Sequence, residues 1–149
     1  MVDTKLIKQL RETTGGGIAD CKKALEQTGS DLKKAAALLK TRGIQKSEKK
    51  EGRETGQGIV ESYIHANGRV GVLLSLFCET DFVAKNEQFK KLAHEIAMQV
   101  ASMNPKNTEE LLQQDYIRDG KMKVGELIKS TIGTIGENIR VGEFVRYEI

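Results

Sequence analysis

The feature that most constrains the fold of this chain is an apolar run that ends abruptly in a polar corner. Residues 70–78 read Val-Gly-Val-Leu-Leu-Ser-Leu-Phe-Cys and are apolar at both alternating sets of positions, which predicts a strand covered on both faces. A second extended run, residues 59–66, is joined to it through Asn67-Gly68. Asn-Gly between two such runs predicts a β-hairpin with a type I′ turn. The corner that follows is Glu79-Thr80-Asp81-Phe82-Val83.

Residues 1–43 predict a compact module of three short helices, because apolar residues recur there at helical spacing. Ser30 or Asp31 is the predicted N-cap of the third helix. Glycines at 15–17, 29 and 43 are predicted to end helices, since glycine readily adopts the left-handed conformation. So small a module would be marginally stable alone. Residues 44–57 have no apolar face and predict a charged linker that is flexible or partly helical.

Residues 58–149 predict an α+β core in which a three-stranded antiparallel sheet packs with helices. Asn86 is the predicted cap of an amphipathic helix that ends at Asn104-Pro105. The remaining predicted elements are a helical turn at 108–114, a helix at 124–135 and a closing strand at 139–149. We expect the closing strand beside the hairpin. The chain is therefore predicted to contain a helical module, a linker and one core domain.

The composition excludes several classes of protein. Charged residues make up 30% of the chain, and no apolar segment reaches the roughly 20 residues needed to cross a bilayer. The N-terminal residues lack the pattern of a secretory signal, so we expect a cytoplasmic protein with no membrane partner. Only two cysteines, Cys21 and Cys78, are present, which is too few for a disulfide framework.

The charge is distributed unevenly along the chain. Residues 1–53 hold 13 Lys and Arg against 7 Asp and Glu, whereas residues 54–149 hold 11 against 14. A basic first part is compatible with an acidic partner or with RNA. However, no aromatic residue precedes Tyr63, so the basic part lacks the stacking platforms that single-stranded nucleic acid uses. Direct nucleic-acid binding is therefore the weaker hypothesis.

The sequence predicts neither an enzyme nor a bound cofactor or metal. The triple glycine at 15–17 follows a helix instead of a strand and lacks the Gly-x-x-x-x-Gly-Lys pattern of a phosphate loop. His65 and His94 share no metal-binding spacing with each other or with a cysteine. No third residue can be named that would orient a cysteine–histidine pair for catalysis.

Thr80-Asp81-Phe82-Val83 remains open to two interpretations on pattern alone. In the structural one, Thr80 caps a turn while Phe82 and Val83 pack the corner onto the core, as large apolar residues usually do. In the functional one, Asp81 and Phe82 project as a wedge. The aromatic ring would then fill a pocket on a partner, as exposed aromatics at interfaces do.

Three blocks of the sequence closely resemble the bacterial-type elongation factor Ts family. The blocks are residues 10–25, beginning Leu-Arg-Glu-Thr-Thr-Gly-Gly-Gly; residues 63–86, which include Cys78-Glu-Thr-Asp-Phe-Val-Ala-Lys-Asn86; and residues 124–139, which include Ile135-Gly-Glu-Asn-Ile139. This resemblance implies that the N-terminal helices form a ubiquitin-associated-like module. It also implies a guanine-nucleotide exchange factor whose partner is elongation factor Tu.

The resemblance further implies how the partner is bound. Asp81 and Phe82, with Thr80 and Val83 seating the turn, would intrude into the partner's GTPase domain and disturb its magnesium and phosphate site, so that GDP leaves. Arg11 matches a family contact in the N-terminal module. Ile18 and Ala19 stand where some family members have methionines.

The chain also departs from the longer family members. They carry a second core subdomain between the long helix and the closing segment, whereas here Asn104-Pro105 leads almost directly to residues 111–114 and 124. The chain thus resembles a short form, and its oligomeric state stays open. Two alternatives from other classes remain, a protein-interaction adaptor that uses the helical module and an RNA-associated module that uses the basic part.

Overall fold

A computed structural model describes residues 1–149, and it has an α+β fold as the sequence predicts. The helices are α1 (Thr4–Thr14), α2 (Ile18–Gln27), α3 (Leu32–Ser47), α4 (Asp81–Ala84), α5 (Glu87–Met103), α6 (Thr108–Gln113) and α7 (Val124–Ile135). The strands are β1 (Gln57–Ile64), β2 (Val70–Cys78), β3 (Asp115–Tyr116), β4 (Asp119–Lys123) and β5 (Arg140–Glu148). None of the helices combines the length and apolar character needed to span a membrane.

The main sheet has three antiparallel strands in the order β1-β2-β5, so the closing strand lies beside the hairpin as predicted. The prediction that β2 is covered on both faces is wrong. Leu74 and Leu76 point into the core and are fully buried, but Leu73 is 52% exposed. Helix α5 packs against β1 and β2 on the buried side of the sheet, whereas Val60 and Val145 are exposed on the same side as Leu73.

The hairpin turn differs from the predicted type I′ geometry. That turn needs positive φ at both central residues, and here Gly68 has φ 72° while Asn67 does not have a positive φ. The His65 carbonyl instead accepts a hydrogen bond from the Gly68 amide, and the His65 amide donates to the Val70 carbonyl. The loop between Ile64 and Val70 is longer than predicted, and the Asn67 side chain stabilises it by accepting from the Arg69 amide.

Helix α5 supplies the centre of the core. Asn86 caps it as predicted, with its side chain accepting hydrogen bonds from the Gln88 and Phe89 amides. Asn104 ends it in the left-handed conformation, just before the single proline. The predicted apolar stripe is buried against the sheet and comprises Phe89, Leu92, Ala93, Ile96, Ala97 and Val100.

The small hairpin β3–β4 was not predicted from the sequence, because its residues are mostly charged and lack alternating apolar character. Buried polar side chains of α5 hold it in place. The Gln99 side chain accepts from the Ile117 amide and donates to the Asp115 carbonyl, at 3.0 and 3.1 Å. The Tyr116 hydroxyl donates to the Glu95 carboxylate at 2.8 Å, and burial beside that carboxylate raises the pKa of the tyrosine.

The N-terminal helices form a unit with its own small core. Only five residues of this unit make up its buried cluster, namely Leu10, Cys21, Ala24, Leu25 and Ala35. Asp31 is the observed N-cap of α3 and accepts from the Lys34 amide. The predicted helix end at Gly43 is wrong, because α3 continues to Ser47. A core this small is marginal by itself, so packing against the rest of the chain stabilises the unit.

Gly43 lies inside α3 because this helix crosses α7 at very short distance. A Cβ atom on Gly133 of α7 would lie only 2.4 Å from the Gly43 Cα atom. A Cβ atom on Gly43 would lie 2.9 Å from the Ser130 carbonyl oxygen. Two glycines therefore let the backbones touch, and this contact outweighs the low helix propensity of glycine. The crossing joins the N-terminal unit to the core.

We expect Gly133→Ala to lower the free energy of unfolding by about 2–3 kcal/mol, since the added methyl group must push the two helix backbones apart. The urea midpoint measured by circular dichroism reports this loss. Gly120→Ala is the matched control, because a Cβ atom there meets nothing within 4 Å. An unchanged midpoint for Gly133→Ala would show that the crossing contributes no stability.

Candidate functional site

The predicted motif forms a one-turn helix at the end of β2. Thr80 is its N-cap, and the threonine hydroxyl accepts a hydrogen bond from the Val83 amide at 3.3 Å. The turn directs successive pairs of residues to opposite sides. Val83 and Ala84 are buried in the core, whereas Asp81 is exposed and Phe82 is 80% exposed. An isolated phenylalanine presented this fully to solvent, beside a carboxylate, forms an aromatic tip.

A carboxylate from a distant part of the chain holds the base of this tip. The Oε1 atom of Glu137 accepts hydrogen bonds from the Glu79 and Thr80 amides, at 3.1 and 3.0 Å. Its Oε2 atom accepts from the Thr80 hydroxyl at 2.7 Å. Glu137 follows α7, which ends at Gly136 with φ 89°. The carboxylate thereby satisfies two backbone donors that the end of β2 leaves unpaired.

A second carboxylate makes the reverse contact. Glu79 accepts from the Asn138 amide at 2.6 Å, so each of the two loops donates backbone amides to the other loop's carboxylate. Arg53 lies 3.7 Å from the Glu79 carboxylate, and its own carbonyl accepts from the Asn138 side chain at 2.9 Å. The Arg53 guanidinium partly offsets the two neighbouring negative charges. We call this group, Arg53, Glu79, Thr80, Glu137 and Asn138, the carboxylate clasp.

Sequence reasoning missed the clasp apart from Thr80. The residues Glu79 and Glu137 are 58 positions apart, and no local periodicity connects them. Glu137 and Asn138 lie in the Ile135–Ile139 part of a block that carries the family resemblance, but a polar Gly-Glu-Asn segment directly after a helix end also fits an ordinary loop.

Cys78 lies at the inner side of the corner and is completely buried. Its thiol donates to the Thr80 carbonyl at 3.1 Å, and burial raises the pKa of Cys78. Burial raises the pKa of Cys21 as well. A thiol with a raised pKa and no solvent access is a poor nucleophile. Both histidines lie at the surface, beside Tyr63.

The predicted residues of the N-terminal unit lie at the start of α2 and at the end of α1. Arg11 is exposed, and its Nε atom donates to the Gly16 carbonyl at 3.2 Å. Ile18 is 60% exposed, and Arg11 and Ile18 line one open depression on the surface. Ala19 is also exposed but does not line that depression.

The N-terminal unit contacts the first turn of α5, the helix that follows the aromatic tip in the chain. Gly15, which ends α1 with φ 73°, lies directly against the Gln88 side chain in the first turn of α5. Gln88 is six positions after Phe82. The arrangement brings Arg11 and Ile18 together, and it attaches their helices to the core at the first turn of α5.

Comparisons with known proteins identify the family. A family model described as Elongation factor TS matches residues 79–149. The elongation factor Ts of Thermotoga petrophila is 42% identical, over 99% of this chain and 96% of that protein. The elongation factor Ts of Rippkaea orientalis is 41% identical, over 98% of this chain and 77% of that protein. That of Coprothermobacter proteolyticus is 38% identical, over 99% of this chain and 98% of that protein.

These relatives are longer within the matched span. The alignment with the Thermotoga petrophila protein covers 191 positions, whereas this chain has 149 residues, so at least 42 positions (191 − 149) have no residue in this chain. The high coverage of both sequences nevertheless places the helical unit and the sheet-bearing core in one match. The chain belongs to the elongation factor Ts family.

Proposed function

We propose that this protein promotes guanine-nucleotide exchange by binding elongation factor Tu in its GDP-bound form and accelerating the release of GDP. The observation that carries the proposal is the aromatic tip, in which Phe82 is 80% exposed beside the exposed Asp81. Membership of the elongation factor Ts family supports the choice of partner. The tip supports a mechanism in which this protein displaces the groups that hold GDP.

The tip is suited to entering a pocket on another protein. Leaving a phenylalanine side chain in water costs about 2–3 kcal/mol relative to burying it. A partner that encloses Phe82 recovers this free energy at the moment of binding. Asp81 would enter with it and bring a negative charge toward groups that hold magnesium and phosphate. Displacing those groups lowers the partner's affinity for GDP, because they supply much of the free energy of nucleotide binding.

Thermodynamic linkage sets the size of the effect that the contacts must supply. If this protein lowers the partner's affinity for GDP by some factor, GDP lowers the partner's affinity for this protein by the same factor. A thousandfold mutual weakening needs about 4 kcal/mol of coupling free energy. Burial of one aromatic side chain together with one charged hydrogen bond can supply a coupling free energy of this size.

A second contact would come from the N-terminal unit. Arg11 and Ile18 present a cation and an exposed apolar side chain on one depression, and Ala19 continues the exposed start of α2. We assign this surface to partner affinity and the tip to nucleotide displacement. The two functions separate in kinetics, because affinity sets the half-saturating concentration and displacement sets the maximum release rate.

The tip variant Asp81→Ala with Phe82→Ala tests the displacement function. We expect it to lower the maximum rate of fluorescent GDP release from elongation factor Tu about 100-fold, which corresponds to the loss of about 3 kcal/mol at an interface anchor. Both side chains are exposed, so the unfolding midpoint should stay unchanged. The control is Glu109→Ala, which removes an exposed carboxylate on α6. If the tip variant reaches the wild-type maximum rate of GDP release, the tip does not displace the nucleotide.

The N-terminal variant Arg11→Ala with Ile18→Ala tests the affinity function. We expect the half-saturating concentration to rise about tenfold, or about 1.4 kcal/mol, while the maximum release rate changes little. Titration of the same release assay gives both quantities. Lys33→Ala, an exposed change on α3, is the control. If the variant lowers the maximum release rate and leaves the half-saturating concentration unchanged, the N-terminal surface acts in displacement and not in affinity.

A further inference from the structure

Glu137 holds the aromatic tip although it belongs neither to the tip nor to the elements next to it in sequence. We propose that Glu137 is a positioning residue for nucleotide exchange, and that its carboxylate keeps Asp81 and Phe82 in one orientation before the partner is met. This inference rests on the proposed exchange function. It adds a residue that acts through Thr80, without contacting the partner's nucleotide site.

The tip needs such support because packing alone does not fix it. Val83 and Ala84 are its buried residues, while Phe82 is mostly in solvent. A helix of one turn has too few hydrogen bonds to persist by itself. Its orientation therefore depends on the groups that hold its first residue. Thr80 precedes that residue as the N-cap, and its amide and hydroxyl both donate to Glu137 while its hydroxyl accepts from the Val83 amide.

The Thr80 hydroxyl transmits the position of Glu137 to the tip. A threonine hydroxyl has one proton to donate and lone pairs to accept with. Here the proton is directed to Glu137 Oε2 at 2.7 Å, which leaves a lone pair free for the Val83 amide at 3.3 Å. The donation to a carboxylate is charge-assisted and therefore strong. Glu137 thus selects the hydroxyl orientation that caps the tip.

The clasp also connects the tip to the segment that leaves the N-terminal unit. Arg53 pairs with Glu79, and Arg140 donates to the Thr55 hydroxyl at 3.1 Å. The Asn138 side chain bonds the Arg53 carbonyl. Residues 53–55 therefore lie along the loop that carries Glu137. This segment keeps the loop in register with the core, so that the Glu137 carboxylate stays on the Glu79 and Thr80 amides.

The inference predicts a specific kinetic signature for Glu137→Ala. The tip would sample several orientations, and only the fraction in the productive one would displace GDP. We expect the maximum release rate to fall about tenfold, while the half-saturating concentration stays within about threefold because the N-terminal unit still binds. Glu137→Gln keeps one oxygen for the two amides but places an NH2 donor against the Thr80 hydroxyl, so it should restore only part of the rate.

The experiment measures GDP release from elongation factor Tu at rising concentrations of the wild-type chain, Glu137→Ala, Glu137→Gln and the exposed-carboxylate control Glu109→Ala. The same variants are compared in the absence of the partner by amide hydrogen exchange. Faster exchange at Thr80 and Val83, with unchanged protection in the middle of β2, identifies a local loss of tip order. A purely structural role would instead lower protection throughout the core and raise the half-saturating concentration.

The outcomes distinguish the inference from the function on which it rests. If the wild type does not accelerate release, the exchange function itself fails. If the wild type accelerates release and Glu137→Ala reaches the same maximum rate, the positioning inference alone is wrong. Loss of core protection in Glu137→Ala would also overturn it. In Glu137→Ala, a reduced maximum rate with local deprotection, together with an intermediate rate in Glu137→Gln, supports it.

Discussion

The close contact between Gly43 of α3 and Gly133 of α7 holds the two parts of the molecule together. It allows the two helix backbones to touch and so joins a helical unit with a five-residue core to the sheet-bearing core. It also fixes α7, whose end at Gly136 delivers Glu137 to the base of the aromatic tip. Helix α7 thereby contacts α3 of the N-terminal unit, and the loop that follows α7 reaches the base of the tip. The two surfaces proposed to bind the partner are held in one framework.

The aromatic tip contributes little to the stability of the fold, because the Phe82 side chain is left exposed to solvent. A large aromatic side chain beside a carboxylate gains little from the fold in which it is displayed, and burial in a partner would recover the missing free energy. Ordinary packing cannot hold such a group, so hydrogen bonds to the backbone at its base have to do so. The clasp supplies these bonds from two carboxylates, with Arg53 nearby to limit their mutual repulsion.

Much of the fold could be predicted because local chemistry agrees with tertiary packing. Asp31 and Asn86 cap their helices as expected, the stripe on α5 faces the sheet, and the closing strand pairs with β2. Gly43 was misjudged because low helix propensity suggests an end, whereas a close crossing with a distant helix requires a glycine. The exposed outer face of β2, shown by Leu73, was also missed. A continuous apolar run alone does not reveal whether a second layer covers the outer face of a strand.

The candidate site was predictable only in part. The Thr80 to Val83 motif was found from its position after a buried strand and from family resemblance, and its division into exposed and buried pairs follows from a single helical turn. Glu137 was not found, because its contacts with the motif span 57 positions and leave no periodic signal. Long-range hydrogen bonds between loops depend on the final backbone path, which local sequence patterns do not encode.

The exchange function is tested by the rate of GDP release from preloaded elongation factor Tu, followed as the concentration of the wild-type protein rises. We expect a rate that increases and then saturates well above the spontaneous rate. By linkage, excess GDP should also displace this protein from the partner. A release rate that stays at the spontaneous value, under conditions where the two proteins demonstrably bind, would contradict the account.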